Sequence, residues 1–181
     1  MKLKLLLLIL ALQTAWILGT TFVQERALAR GAVVLLETRP VDPRDLLRGD
    51  YVILNYKISD VALDLFSPPR TNALPPGQTG YVALEPLGQF HEVALASTEP
   101  ITPAAGQVAL KGRSQVRWRG PGVSTVHVEY GLERYYVREG TGNPRGKLTV
   151  QAAVSASGRA SIKEVFVDGK PYLGVMKEAG Q

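Results

Sequence analysis

The chain has 181 residues and no cysteine, and its 21 basic against 16 acidic residues give a net charge of +5. The absence of cysteine excludes a disulfide framework and a thiolate metal site. Two of the surplus charges, Lys2 and Lys4, precede an apolar segment, so the remainder is too weakly basic to indicate a polyanionic partner. The 18 glycines and 12 prolines are spread between short apolar runs, which is typical of a β-rich protein.

The N-terminal segment is long and apolar enough to span a membrane. Residues 5–23 contain no charged side chain, and a helix of that length rises about 28 Å, close to the roughly 30 Å hydrocarbon core. Gln13 and Thr14, near its middle, are best accommodated against a neighbouring helix. We predict a transmembrane helix that continues as far as Gly31. Its N-terminus is expected in the cytoplasm, because two lysines precede the span.

A cleaved signal peptide is the alternative, since Ala27 and Ala29 provide a small-x-small cleavage site. The apolar stretch exceeds a usual signal-peptide core, and a glutamate and an arginine crowd that site, which favours the anchor. Both interpretations place the rest of the chain outside the cytoplasm. We therefore divide the chain into residues 1–30, comprising a cytoplasmic tip, the transmembrane anchor and a helical extension, and residues 31–181, an extracytoplasmic β-rich domain.

The exported part is predicted to consist of short strands separated by turns. Residues 42–49 carry the start and stop signals of one helical turn, and residues 67–79 contain four prolines and form a loop. Residues 132–139 are ambiguous between a strand and a short helix. Asp168 and Gly169 form a hairpin turn. Strands are predicted at residues 33–38, 51–58, 80–84, 90–97, 107–111, 114–119, 123–130, 148–155, 160–167 and 170–175.

This succession of strands predicts a mainly β fold. We expect one N-terminal transmembrane helix followed by a compact antiparallel β sandwich or partly open barrel with one or two short helical turns. The alternation within residues 51–58 places Val52, Leu54, Tyr56 and Ile58 on the core face and Tyr51 on the opposite face.

Residues 49–56 read G-D-Y-x-x-L-x-Y, with Gly49, Asp50, Tyr51, Leu54 and Tyr56 at the fixed positions. The segment resembles the signature of the bacterial GDYXXLXY family, and the segments at 40–44, 130–140 and 167–172 are similar to other recurring parts of that family. The resemblance implies a bacterial, membrane-anchored protein of unknown function, often encoded beside polytopic membrane proteins. It implies no established biochemical activity.

The signature has two interpretations. It specifies a turn and a core tyrosine, or it contributes to a surface around Asp50 and Tyr51 that binds a partner. In the second case, we expect the partner to be a polytopic membrane protein. The candidate surface combines the signature with the segment at 130–140 and comprises Gly49, Asp50, Tyr51, Leu54, Tyr56, Glu133, Tyr135, Glu139 and Gly140.

A second candidate surface is basic. Arg113, Arg117 and Arg119 occupy alternate positions and would share one strand face. Such a face beside a bilayer is either simply solvated or contacts anionic lipid head groups or an acidic partner. Nucleic acid is not expected as a partner of an exported domain.

The sequence offers no usable set of catalytic residues. Glu133 and Glu139 are the best acidic pair and provide the alternative interpretation, a hydrolase acting on cell-envelope material. Type I signal peptidases share the anchor and a Gly-Asp motif, but Val41 would occupy the position of their nucleophilic serine. His91 and His127 lie on different predicted strands and lack metal-ligand spacing. We therefore predict a non-enzymatic binding or assembly module with no cofactor or metal site.

Overall fold

The computed structural model describes residues 2–39, 51–70, 72, 74–115, 125–137 and 146–179. Helix α1 spans Lys2–Ala29, and helix α2 spans Tyr172–Ala179. Short 3-10 helices at Lys57–Ser59 and Leu63–Leu65 flank the fourth strand. The strands are β1 (Ala32–Arg39), β2 (Tyr51–Ile53), β3 (Asn55–Tyr56), β4 (Asp60–Ala62), β5 (Thr79–Leu87), β6 (Phe90–Ser97), β7 (Val108–Gln115), β8 (Thr125–Glu129), β9 (Arg134–Tyr136), β10 (Leu148–Val154), β11 (Ala160–Val167) and β12 (Lys170–Pro171).

The strands form two five-stranded antiparallel sheets and a two-stranded ribbon. The first sheet has the order β12-β11-β10-β1-β3, the second has the order β4-β8-β7-β5-β6, and β2 pairs with β9 in the ribbon. Buried apolar residues from both sheets join in one cluster, so the arrangement is a sandwich, and the described strands do not close a barrel. The largest fully buried side chains are Tyr56, Tyr172, Leu36, Leu54, Leu84, Leu110 and Leu132. The prediction of a mainly β chain with one N-terminal helix is confirmed.

Helix α1 is long and apolar enough to cross a membrane, and the domain does not cover it. Its large apolar side chains are exposed along its length, with Trp16 75% exposed. The hydroxyls of Thr14, Thr20 and Thr21 donate to carbonyls one turn earlier at 2.9 to 3.0 Å. These polar side chains are therefore satisfied within the helix itself, as an apolar environment requires.

Gly31 ends α1 for a reason other than the one predicted. Its N–H donates to the carbonyl of Leu28 at 3.1 Å, but its φ is not positive. A Cβ at this position would overlap the carbonyl of Val154 on β10. The glycine is therefore needed because the start of β1 approaches β10 closely.

The predicted strand at residues 51–58 is wrong as a single element, although its alternation is confirmed. The chain changes partner at Leu54, because β2 pairs with β9 whereas β3 pairs with the end of β1. Val52, Leu54, Tyr56 and Ile58 are nevertheless buried, as the alternation predicts. An extended chain keeps its two-residue periodicity across a change of partner.

Two other predictions need correction. The separate strands predicted at 107–111 and 114–119 are continuous as β7 through Gly112, where a Cβ would overlap Val128. Gly112 thus allows close packing and does not break the strand. The strand predicted at 170–175 is helical from Tyr172, because Pro171 follows the turn and favours a helix N-terminus. The helical turn predicted at 42–49 and residues 116–119 lie outside the described residues.

Candidate functional site

The ribbon brings together two segments that are far apart in sequence. Strand β2 is the middle of the G-D-Y-x-x-L-x-Y segment, and β9 lies in the segment at 130–140. Their register pairs Tyr51 with Tyr136, Val52 with Tyr135 and Ile53 with Arg134. The ambiguous segment at 132–139 is therefore a strand where it meets the signature.

Two buried tyrosines hold these segments together from the core side. The Tyr56 hydroxyl donates to the carbonyl of Leu132 at 2.7 Å, and the Tyr130 hydroxyl donates to the carbonyl of Ile58 at 2.8 Å. Burial raises the pKa of both phenols far above the usual tyrosine range, and the negative charge of Glu133 raises them further. Both hydroxyls therefore stay protonated and serve as structural donors.

A third segment joins the first two. Tyr172, at the start of α2, is buried, and its ring packs edge-on against Tyr135 with centroids 5.5 Å apart and an interplanar angle of 82°. This geometry is a favourable aromatic contact. The described parts of the segments at 49–56, 130–140 and 167–172 thus meet in one part of the domain.

A family model with the description GDYXXLXY protein matches residues 13–165, most of the chain. The chain belongs to the GDYXXLXY family. No curated protein and no solved structure matches it. The matched region begins inside α1 and ends in β11, so the GDYXXLXY unit includes the second half of the apolar helix and the strands from β1 to most of β11.

The outer face of the GDYXXLXY ribbon carries an aromatic and basic cluster in which Arg134 and Tyr136 are exposed and Tyr51 is half-buried. The rings of Tyr51 and Tyr136 are 6.0 Å apart and tilted by 58°, and the Arg134 guanidinium lies 5.4 Å from the centroid of the Tyr51 ring. Tyr136 is 71% exposed. We call Tyr51, Arg134 and Tyr136 the tyrosine patch. Arg134 and Tyr136 were not among the predicted site residues, although they alternate with Tyr135 on β9.

The structure separates the predicted GDYXXLXY surface into core and surface positions. Leu54 and Tyr56 are buried, whereas Tyr51 lies in the tyrosine patch. Tyr135 is half-buried against Tyr172. The other predicted members, Gly49, Asp50, Glu139 and Gly140, lie outside the described residues.

Glu133 has a structural role in the described geometry. Its Oε1 accepts the backbone N–H of Tyr130 at 2.6 Å, and its own carbonyl accepts the N–H of Leu54 at 2.8 Å. The carboxylate thereby caps the turn that leads into β9. Its partner in the predicted acidic pair, Glu139, lies outside the described residues.

The predicted basic face is described in part. Arg113 is exposed on β7, opposite Glu129 of β8 in the strand register. A carboxylate at the neighbouring position offsets its charge. Arg117 and Arg119 lie outside the described residues.

The two histidines are not brought together. His91 Nδ1 accepts the backbone N–H of Leu35 at 3.2 Å. This N–H of β1 thus has a side-chain partner on β6 in addition to the strand's pairing with β10. His127 Nδ1 lies 2.9 Å from Oδ1 of Asp60, a carboxylate that also pairs with Arg39 and is 4% exposed. Asp60 was missed by sequence reasoning, and its cross-strand register with His127 is the relationship that a single sequence does not show.

The Asp60–His127 contact joins a carboxylate and an imidazole across β4 and β8. The described residues contain no group of three histidine, aspartate or glutamate side chains positioned to hold a metal ion.

Glu37 lies between two lysines on the outer side of β1. Its carboxylate pairs with Lys57, which directly follows β3, and with Lys147. Hydrogen bonds from Lys147 and then Lys57 lower the pKa of Glu37, against the opposing effect of desolvation. The Lys147 ammonium also lies 5.3 Å from the centroid of the Phe90 ring. The cluster thus connects the two sheets electrostatically.

Proposed function

We propose that this GDYXXLXY protein is a membrane-anchored, extracytoplasmic binding module that acts with a polytopic membrane protein and contacts it through the tyrosine patch. The observation that carries the proposal is the patch itself. Three side chains of the types most enriched at binding hot spots lie together on the ribbon that the family signature builds, with Arg134 and Tyr136 exposed and Tyr51 half-buried.

The ribbon makes a rigid platform for these side chains. Its inner side is fixed by the hydroxyls of Tyr56 and Tyr130 and by the contact of Tyr135 with Tyr172. Little ordering entropy is therefore lost when a partner binds its outer side. An exposed tyrosine ring offers a large contact area together with a polar group at its tip.

The exposed apolar surface of α1 supports the anchoring part of the proposal. We propose an N-in orientation in a bacterial inner membrane, with the domain outside the cytoplasm, because lysines precede the span. Fusion of a reporter that is active only outside the cytoplasm to Gln181 tests the orientation. Activity is expected, and a silent reporter with an active cytoplasmic counterpart would overturn this part.

Co-purification of the full-length chain in mild detergent tests the partner proposal. Replacement of both Tyr51 and Tyr136 by alanine should preserve the fold and reduce recovery of a polytopic protein about thirtyfold, as expected for the loss of a hot spot worth about 2 kcal/mol. Purified, labelled partner then permits the affinity to be measured directly.

Tyr81→Ala is the matched control, because Tyr81 lies on β5 with the Lys111 ammonium 5.9 Å from its ring centroid and so resembles the Tyr51–Arg134 pair. Recovery should be unchanged in this variant. Equal recovery from the double variant, the control and the unmodified chain would refute the proposed surface.

A further inference from the structure

The end of the domain from which α1 leaves is identified by two backbone contacts. Gly31 lies against the carbonyl of Val154 at the end of β10. The β10–β11 turn follows at once, closed by the hydrogen bond from Ser155 N–H to the Arg159 carbonyl at 2.8 Å. The apolar window of α1 has no buried side chains and α1 contacts β10, so the helix leaves the domain here.

The same turn packs on the second sheet. The Gly158 carbonyl accepts the N–H of Lys111 on β7 at 2.8 Å. A Cβ on Gly158 would lie 3.1 Å from the Lys111 nitrogen, so this contact is close. Lys111 therefore belongs to the same end of the domain as the start of β1 and the β10–β11 turn.

Three exposed cations gather at this end, which we call the basic collar: Arg30, Lys111 and Arg159. None of them forms an ion pair with a described residue. Glu25, on the last turns of α1, is the acidic residue nearest to Arg30 in sequence. Arg26 beside it offsets its charge. The collar thus differs from Arg113, which faces Glu129 across the strands.

We infer that the basic collar contacts anionic phospholipid head groups of the leaflet from which α1 emerges, and so seats the domain on the bilayer. Arg30 directly follows the span, and the other two cations are tied to it through Val154 and Gly158. Cations beside an anionic membrane each shift the docked-to-undocked population about fivefold at ordinary salt. This inference rests on the anchoring proposed above and is independent of the partner.

The experiment measures the depth of the β10–β11 turn in the bilayer. The full chain has no cysteine, so Ala156→Cys, at an exposed position of the turn, provides one site for a nitroxide label. The labelled chain is reconstituted into nanodiscs of phosphatidylcholine alone or with one quarter phosphatidylglycerol. Collision of the nitroxide with oxygen and with a water-soluble nickel chelate gives its depth.

We expect the label at head-group depth in the anionic nanodiscs and in water in the zwitterionic ones. Neutralisation of Lys111 and Arg159 to glutamine should lower the docked population about twenty-five-fold. The control removes two exposed charges elsewhere, Lys57→Gln and Lys170→Gln, and should leave the depth unchanged. A rise in salt on the unmodified chain should undock it, because exposed charges are screened.

Other outcomes overturn the inference. A depth that is the same in both lipids, or that responds equally to the two double variants, would show that the collar does not recognise anionic head groups. Failure of the chain to enter nanodiscs at all would instead refute the proposed anchor, so the two failures are distinguishable.

Discussion

The hydroxyls of Tyr56 and Tyr130 join the same two segments, and each donates from its own segment to a carbonyl of the other. Tyr56, in the signature, donates to the carbonyl of Leu132, and Tyr130, beside the partner strand, donates to the carbonyl of Ile58. Each hydroxyl therefore binds the carbonyl that lies two residues after the other tyrosine. The fixed tyrosine at the end of the GDYXXLXY signature is thus a structural residue of the core.

Loss of the Tyr56 hydroxyl should destabilise the domain without changing its shape. Tyr56→Phe leaves the buried carbonyl of Leu132 without this donor, so we expect a loss of about 1 to 3 kcal/mol in the free energy of unfolding. Tyr56→Ala also creates a cavity and should cost about 3 to 5 kcal/mol. Urea unfolding of the detergent-solubilised chain, followed by near-ultraviolet circular dichroism, measures both values. Tyr81→Phe is the control, since the Tyr81 ring is only half-buried.

The tyrosines of the patch should behave differently from Tyr56. Tyr51→Ala and Tyr136→Ala remove a ring contact on the outer face of the ribbon that is worth about 0.5 to 1.5 kcal/mol. Each variant should remain folded and lose no more than about that amount in the same unfolding measurement. A loss at Tyr51 as large as that in Tyr56→Ala would mean that both faces of the ribbon are core, and would remove the tyrosine patch as a surface.

Gly158 should tolerate no side chain. Its φ is +79° and a Cβ would lie 3.1 Å from the Lys111 nitrogen, so Gly158→Ala combines backbone strain with an unusually tight contact. Gly106, with a φ of +82° and open space around it, provides the matched control in which strain acts alone, at about 1 to 2 kcal/mol. Thermal unfolding should show a distinctly larger loss for Gly158→Ala than for Gly106→Ala, and equal losses would contradict the close contact.

The pairing of Glu37 with Lys147 and Lys57 predicts a pH dependence of stability. Since the pKa of Glu37 is lowered in the folded chain, its contribution is present above the pKa of the unfolded chain and is lost as the pH falls through the folded value. The two lysine side chains are 50% and 55% exposed, so solvent screening limits the contribution to under about 1 kcal/mol. Glu37→Gln should be less stable than the unmodified chain at neutral pH, and the difference should vanish in acid.

Denaturant unfolding at a series of pH values measures this difference. Glu164→Gln is the control, because Glu164 is exposed on β11 and forms no ion pair with a described residue. A difference that stays constant down to acid pH for Glu37→Gln would show that the glutamine disturbs packing and that the charge is not responsible.

Much of the fold could be predicted because its signals are local. The uninterrupted apolar run predicts α1, and the β-branched runs predict β1, β6, β10 and β11 within one or two residues. The alternation at 51–58 correctly predicts which side chains are buried. The break at Leu54 could not be predicted, because it arises where the chain leaves β9 and joins β1, and both partners are distant in sequence.

The site was harder to predict for the same reason. The tyrosine patch joins Tyr51 to residues more than 80 positions further along the chain, and nothing in either segment alone indicates the pairing. Asp168 and Gly169 correctly predict the hairpin turn, but the helix at Tyr172 was missed. The second strand of the hairpin pairs over two residues only, and the Tyr172 ring then packs against Tyr135. Asp60 was missed since its role depends on its register with His127.

The short junction at Arg30 and Gly31 has a mechanical consequence. Two residues separate α1 from β1, and Gly31 lies against Val154. A change in the tilt of the helix is therefore transmitted to the domain. The tyrosine patch lies toward the far end of β1, whose eight residues extend about 23 Å from the junction. A change of about 10° in the tilt of α1 would carry that far end sideways by about 4 Å. In the proposed membrane-anchored arrangement, a partner bound to the tyrosine patch would therefore also set the tilt of α1, and bilayer thickness would in turn set the position of the patch.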